Sequence, residues 1–143
     1  VKRVRTHFKV GHEAIDSAVG DLVSKQPLQN ETGAVHGAAW CDSEGAIIEI
    51  CEDIGRHNAL DKVLGWALLK GVDLSGSFAL MSGRLSFELM QKALAGRLPM
   101  VAGISAPSSL AVEFAKESNQ TLVGFLRPPR FNVYTGMERL ELR

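Results

Sequence analysis

The hydrophobic residues of this chain fall into two kinds of pattern, short continuous runs and longer stretches at helical spacing. The runs predict strands at 34–41, 46–50, 77–81, 100–104 and 121–126. Apolar residues that recur every three or four positions predict helices at 11–26, from the turn after residue 50 to about residue 70, at 85–95 and after residue 107. A last extended segment covers 131–136.

The order of these elements predicts an α/β fold with a mixed sheet. Strands that alternate with helices in the second half of the chain imply parallel pairing with right-handed crossovers. The first two strands are separated only by the turn Asp42-Ser43-Glu44-Gly45 and are therefore expected to form a hairpin. The middle strands are continuously apolar, as expected for burial on both faces. We predict a three-layer α/β/α sandwich that resembles the cytidine deaminase fold.

The second predicted helix changes from apolar to ionic where the preceding strand joins it. Continued backwards, its apolar face reaches Arg56 and His57 and then Asp53. Buried charge is costly unless it is paired, so an ionic inner face indicates the wall of a binding site. The alternative is ordinary helix support through the i,i+4 pairs Glu52–Arg56, Asp53–His57 and Asn58–Lys62. The apolar stripe itself consists of Leu60, Val63, Leu64, Ala67 and Leu68.

Three strand-to-helix turns, at 52–57, 82–86 and 105–109, are expected to meet at one edge of the sheet. Each offers backbone N–H groups at a helix N-terminus, and Arg56 and Arg84 can add bidentate phosphate contacts. Taken alone, each turn is explained by capping; Pro107 fits the first helical position, with Ser105 or Ala106 as its cap. Together the turns predict a site for an anionic, phosphorylated ligand, formed by Asp53, Arg56, His57, Ser82, Gly83, Arg84, Ser105, Ala106 and Ser108.

Length and composition narrow the class of protein. The chain has 143 residues, which we expect to form one domain, 1–143. Its 16 basic and 16 acidic residues balance, which argues against a nucleic-acid partner. Neither a membrane-spanning apolar run nor a signal peptide is visible, so we expect a cytoplasmic protein without a membrane partner. Since the chain begins at Val1 rather than Met, we expect an N-terminal portion to be missing.

The cysteines and histidines give weaker signals. Cys41 and Cys51 match neither a disulfide framework nor a zinc pattern, and packing in the core is favoured for both. Cys51 has the better functional claim, because a thiol at a helix N-terminus has a lowered pKa. His36, in the first hairpin strand, is a weak site candidate. Zinc deaminases carry His-x-Glu and Pro-Cys-x-x-Cys, where this chain has His57-Asn58-Ala59 and Pro107-Ser108-Ser109-Leu110, so no zinc is expected.

One long segment of the chain resembles a known family. The run Glu52-Asp53-Ile54-Gly55-Arg56-His57-Asn58-Ala59-Leu60-Asp61-Lys62 is similar to the signature of the formate dehydrogenase accessory sulfurtransferases of the FdhD type. The resemblance covers roughly residue 32 to the end, and an ordered set of motifs over that length is highly specific. The other matching segments are Ser82-Gly83-Arg84, Ser105-Ala106-Pro107-Ser108-Ser109-Leu110-Ala111-Val112, Leu122-Val123-Gly124-Phe125 and Phe131-Asn132-Val133-Tyr134-Thr135.

The resemblance implies a sulfurtransferase that acts with two partners. Sulfur would pass from a cysteine desulfurase to the molybdenum bis(guanine dinucleotide) cofactor, which is then inserted into formate dehydrogenase. The family carries the sulfur as a persulfide on a Cys-x-x-Cys motif N-terminal to this region, so no catalytic residue is expected in this chain. We also expect a homodimer. The segment that matches the family's cofactor-binding segment comprises Phe131, Asn132, Val133, Tyr134, Thr135 and Gly136, although Phe131 is as well explained by core packing.

Two other classes of function remain open from the residues alone. One is a hydrolase or deaminase that uses His57 with Asp53 or Asp61 as acid–base groups. The other is a non-catalytic scaffold for dimerisation or client binding, in which the charged turn forms structural ion pairs.

Overall fold

The computed structural model describes residue 4 and residues 8–24, 36–127 and 130–141. The predicted helix end at 25–26 and strand start at 34–35 lie outside these residues. The helices are α1 (His12–Ser24), α2 (Arg56–Lys70), α3 (Phe87–Ala95) and α4 (Ser109–Ser118), with a 3-10 turn at Met137–Arg139. The strands are β1 (Val10–Gly11), β2 (His36–Asp42), β3 (Ile47–Asp53), β4 (Ser77–Met81), β5 (Met100–Gly103), β6 (Thr121–Arg127), β7 (Arg130–Thr135) and β8 (Leu140–Glu141).

Six strands form the main sheet, in the order β3-β2-β4-β5-β6-β7. Strand β2 is antiparallel to both of its neighbours, β4, β5 and β6 are parallel, and β7 is antiparallel to β6. Strand β3 therefore points in the same direction as β4, β5 and β6. The predicted hairpin and the predicted mixed α/β fold are both confirmed.

The core consists of two clusters, one on each face of the sheet. Phe78 and Leu80 of β4 pack on the α1 side, whereas Ala79 and Met81 pack on the side of α2, α3 and α4. Side chains alternate between the faces of a strand, so a strand covered on both sides must be apolar throughout. This explains why β4 and β5 are continuous hydrophobic runs.

Two leucines, one of them in the predicted apolar stripe of the second helix, are instead exposed. Leu68 of α2 is 82% exposed and Leu110 of α4 is 60% exposed. In each helix a neighbouring alanine, Ala67 or Ala111, occupies the buried position. One step along a helix rotates a side chain by about 100°, which turns each leucine away from the core.

The start of α4 also differs from the prediction. Pro107 precedes the helix rather than opening it, and Ser108 is the cap, its side chain accepting a hydrogen bond from the Ala111 amide at 3.1 Å. The residues before the cap are extended, because Pro107 forms a parallel bridge with Leu85. The prediction of Ser105 or Ala106 as the cap is therefore wrong.

A second, two-stranded sheet was not predicted. β1 pairs in parallel with β8, with Val10 opposite Leu140. Strands of two residues are too short to show a hydrophobic period, so the sequence carries no signal for them. Within the described ranges, no helix combines the length and the hydropathy needed to span a membrane.

Candidate functional site

The three strand-to-helix turns meet at one edge of the sheet, as predicted. They follow β3, β4 and β5, which point in the same direction. The second and third turns are joined directly, since the Ser108 amide donates to the Leu85 carbonyl at 3.0 Å. A cavity of about 300 Å³ lies between the turns, lined by Arg56, Arg84, Leu85, Ser86, Ala106, Pro107 and Ser108.

Arg56 carries a buried hydrogen-bond donor at this cavity. Its Nε atom is buried and has no hydrogen-bond partner among the residues that the structure describes. Such a donor costs free energy unless something else pairs with it. Arg56 therefore lines the cavity and has one donor that no described residue of the fold uses.

Gly83 allows Arg56 and His36 to lie close to the second turn. A Cβ at this position would lie 3.0 Å from His36 Nδ1 and 3.1 Å from Arg56 Cβ. Glycine thus lets both side chains cross the backbone of the turn. The weak candidate His36 is placed beside the site by this contact.

Two serines cap the helices that point at the cavity. Ser86 Oγ accepts from the Leu89 amide at 3.3 Å and lies 3.1 Å from His57 Nε2. Gly55, which precedes α2, makes no side-chain cap. A cap satisfies only some of the terminal amides of a helix, so the N-termini remain favourable for an anion. With two guanidinium groups in addition, the cavity is suited to phosphate.

Asp53 is placed in a structural ion pair rather than in the cavity lining. Its carboxylate accepts from the Gly55 amide at 3.0 Å and lies 2.9 Å from Lys62 Nζ. The Gly55 hydrogen bond, followed by the one from Lys62, lowers the pKa of Asp53 to about 2. The structure thus pairs Asp53 with Lys62 instead of the predicted i,i+4 partner His57.

Both carboxylates of the acid–base hypothesis form ion pairs with lysines instead of contacting His57. Asp61 is held by Lys92 at 3.0 Å, as Asp53 is held by Lys62. His57 contacts the hydroxyl of Ser86 instead. The geometry therefore gives no support to a histidine–aspartate pair.

Ser82 and Ser105 connect the turns to the sheet. Ser82 Oγ accepts from the Gly37 amide at 2.7 Å, and the Ser105 carbonyl accepts from the Phe125 amide at 3.1 Å. These groups set the positions of the turns, and neither residue lines the cavity.

The side chains of the predicted segment 131–136 divide between the two faces of the sheet. Phe131 packs on the α1 side, with its ring 4.8 Å from that of His12, and Val133 belongs to the same face. Tyr134 packs on the opposite face, where Asn132 follows by strand alternation. These residues, with His12 and Met137, also line an open groove of about 640 Å³ along β7.

Thr135 and Gly136 lie at the other edge of the sheet. Thr135 pairs with Leu122, near the start of β6, and its hydroxyl donates to the Gln120 carbonyl at 3.0 Å. The Gly136 carbonyl accepts from Thr121 Oγ1 at 2.8 Å. The structure therefore does not bring these two residues together with the candidates of the three turns.

Because Gly124 has no side chain, Tyr134 and Pro107 of the third turn can both pack against its backbone. A Cβ on Gly124 would lie 2.9 Å from Pro107 Cδ and 3.1 Å from Tyr134 Cε2. Asn132 is paired with Gly124 on the neighbouring strand, and its Nδ2 is 3.5 Å from the Tyr134 hydroxyl. Asn132 and Tyr134 are thus the members of the segment 131–136 that these contacts place beside the third turn.

Two residues at the site were not singled out from the sequence. Ser86 could have been found, because a serine before a helical apolar pattern is an N-cap signal. Phe125 lies in an apolar run that predicts burial, yet it is 48% exposed. Only the backbone conformation reveals its position.

Neither cysteine is activated. Burial raises the pKa of Cys41 to about 12. Burial also raises the pKa of Cys51, as does Glu49, while Lys62 opposes the shift. The expectation of a lowered pKa for Cys51 is wrong, because β3 continues to Asp53 and Cys51 therefore lies in a strand.

Comparisons with known proteins agree with one another. The model of the FdhD/NarQ family matches residues 1–141. A "Sulfur carrier protein FdhD" of Streptomyces avermitilis is 49% identical over 132 residues, which are 92% of this chain and 47% of that protein. One from Thermoplasma acidophilum is 43% identical over 138 residues, 96% of this chain and 49% of that protein.

A solved structure is also similar. A crystal structure from Desulfotalea psychrophila, assigned to a formate dehydrogenase accessory protein, matches with a TM-score of 0.90 and 33% identity. The match covers 98% of this chain and 60% of that one. The chain spans about half the length of the curated relatives it matches.

Proposed function

The chain belongs to the FdhD/NarQ family, and from that premise we propose that this domain binds the guanine-nucleotide ends of a molybdenum bis(guanine dinucleotide) cofactor. The cofactor would be the client of a sulfur carrier that supports formate dehydrogenase. In that role the longer protein takes sulfur from a cysteine desulfurase, acts in the cytoplasm as a homodimer, and transfers the sulfur to the cofactor before its insertion. This domain supplies recognition of the cofactor.

The buried, unpartnered Nε of Arg56 is the observation that carries this proposal. It lies at a cavity that also receives Arg84 and the N-terminal ends of α3 and α4. A diphosphate fits a cavity of this composition, because its oxygens accept from guanidinium and backbone N–H groups alike. Asn132 and Tyr134 approach the same edge and can contact the rest of a nucleotide.

The test is binding of GDP to this chain. A ligand that binds only the folded state at about 100 times its dissociation constant adds about 2.7 kcal/mol to the free energy of unfolding. We therefore expect GDP to raise the unfolding temperature, and calorimetry to give the dissociation constant. ADP is the control for the base. No shift with millimolar GDP would contradict the proposal, and an equal shift with ADP would retain phosphate binding but remove guanine recognition.

A matched pair of variants locates the binding. Arg56→Met should weaken GDP binding roughly tenfold to 100-fold, since a hydrogen bond to a charged group contributes about 1.5–3 kcal/mol. Arg97→Met is the control, because Arg97 is an exposed arginine that follows α3 and lies outside the cavity lining. Equal GDP affinities for the two variants would rule out this cavity as the site.

A further inference from the structure

Phe125 is an exposed aromatic residue at the carboxyl end of β6. Its side chain is 48% exposed, while the neighbouring Leu126 is buried. Its backbone φ is 54°, in the left-handed region, which is strained for a bulky side chain. The register between β6 and β7 shifts between Gly124 and Arg127, and this irregularity accommodates the unusual conformation.

One hydrogen bond attaches Phe125 to the third turn, and a second attaches the neighbouring Arg127 to the end of the preceding strand. The Phe125 amide donates to the Ser105 carbonyl at 3.1 Å, and Arg127 Nη1 donates to the Ile104 carbonyl at 2.8 Å. The guanidinium carbon of Arg127 lies 4.8 Å from the centre of the Phe125 ring. The ring is thus held by a cation next to the turn whose Ala106 lines the cavity.

We propose that Phe125 is the stacking surface for the base of the bound nucleotide. This inference rests on the proposed function, since it requires a nucleotide whose phosphates occupy the cavity. A flat apolar ring beside a cation fits a planar heteroaromatic base. Because every base has such a face, Phe125 contributes affinity without selecting guanine over adenine. Asn132, opposite Gly124 on the next strand, is placed to hydrogen-bond the edge of the base.

Calorimetric titration with GDP and with inorganic pyrophosphate separates the base from the phosphates. Phe125→Ala should weaken GDP binding roughly tenfold to 100-fold and leave pyrophosphate binding unchanged. Phe125→Tyr keeps an aromatic ring and should retain the affinity of the wild type. Leu69→Ala is the control, because it removes another exposed apolar side chain, 88% exposed on α2.

A glycine variant distinguishes stacking from a structural role. Phe125→Gly relieves the left-handed strain, so it should unfold at a higher temperature than Phe125→Ala while binding GDP as weakly. If the wild type binds GDP and Phe125→Ala binds it equally well, or loses pyrophosphate in parallel, this inference fails and the proposed function stands. If the wild type binds neither GDP nor pyrophosphate, both fail.

Discussion

Gly136 combines a left-handed backbone with close packing, and its replacement by alanine tests whether it serves the fold. Its φ is 68°, and an added Cβ would lie 2.3 Å from Thr121 Oγ1 and 2.7 Å from Thr121 Cα. The hydroxyl has no free rotation, because it donates to the Gly136 carbonyl and accepts from Arg139 Nη1 at 3.1 Å. The added methyl group therefore has to displace backbone.

Gly71 provides a matched control. Its φ is 67°, but no atom lies within 4 Å of an added Cβ. Gly71→Ala should cost only the left-handed penalty of about 1–2 kcal/mol. Gly136→Ala should cost that penalty and a further 1–3 kcal/mol or so for overpacking. The difference between the two variants isolates the steric contribution.

Urea unfolding followed by circular dichroism measures both losses. With an m-value of about 2 kcal/mol per molar urea, Gly71→Ala should lower the midpoint by roughly 0.5–1 M and Gly136→Ala by roughly 1–2.5 M. The GDP affinity of folded Gly136→Ala should match that of the wild type, since Gly136 lies at the far edge of the sheet. Equal midpoints would refute the packing argument, and a loss of GDP affinity at unchanged stability would place Gly136 in the ligand site.

Two further predictions concern single ionisable groups. In Asp53→Asn the free energy of unfolding should fall less steeply between about pH 4 and pH 2 than in the wild type. The pKa of Asp53 is lowered from 3.8 to about 2 in the folded state, so its stabilising contribution is present above pH 4 and is lost as the pH falls towards 2. Acid unfolding of the wild type and of Asp73→Asn, which removes another aspartate of lowered pKa, gives the comparison, and an unchanged pH slope in Asp53→Asn would contradict the assignment. Cys51→Ala in the full-length protein should preserve most formate dehydrogenase maturation, because burial raises the pKa of the thiol and the thiolate is the nucleophile. A loss as complete as that from removing a Cys-x-x-Cys motif would show that Cys51 carries the sulfur.

The part of the site that follows from strand direction could be predicted from the sequence. Strand β4 was predicted at 77–81 and is observed as Ser77–Met81. Once three strands run in parallel, their following turns must share an edge, whatever the details of each loop. Arg56 and Arg84 therefore lie at the edge of the sheet where the sequence predicted them.

The sequence could not predict which residues of the segment 131–136 lie near the three turns. A strand rises by about 3.3 Å per residue, so six residues extend over roughly 17 Å between the first and last Cα atoms. Residues that are contiguous in the motif, such as Asn132 and Gly136, therefore lie towards opposite ends of the strands. The left-handed conformation of Phe125 is equally invisible in the sequence, because glycine, not phenylalanine, is the usual marker of that region.

Strand β2 lies between β3 and β4 and thereby sets the distance between the first and second turns. Strand β2 runs the other way, so the first and second turns are separated by two strand spacings, about 10 Å, rather than one. Arg56, the first residue of α2, and His36, the first residue of β2, both contact Gly83 of the second turn across this distance. The spacing between these turns is therefore set by the backbone hydrogen bonds of the sheet rather than by the loops. A site spaced by strand pairing is already formed before a ligand binds, and preorganisation of this kind lowers the entropic cost of binding.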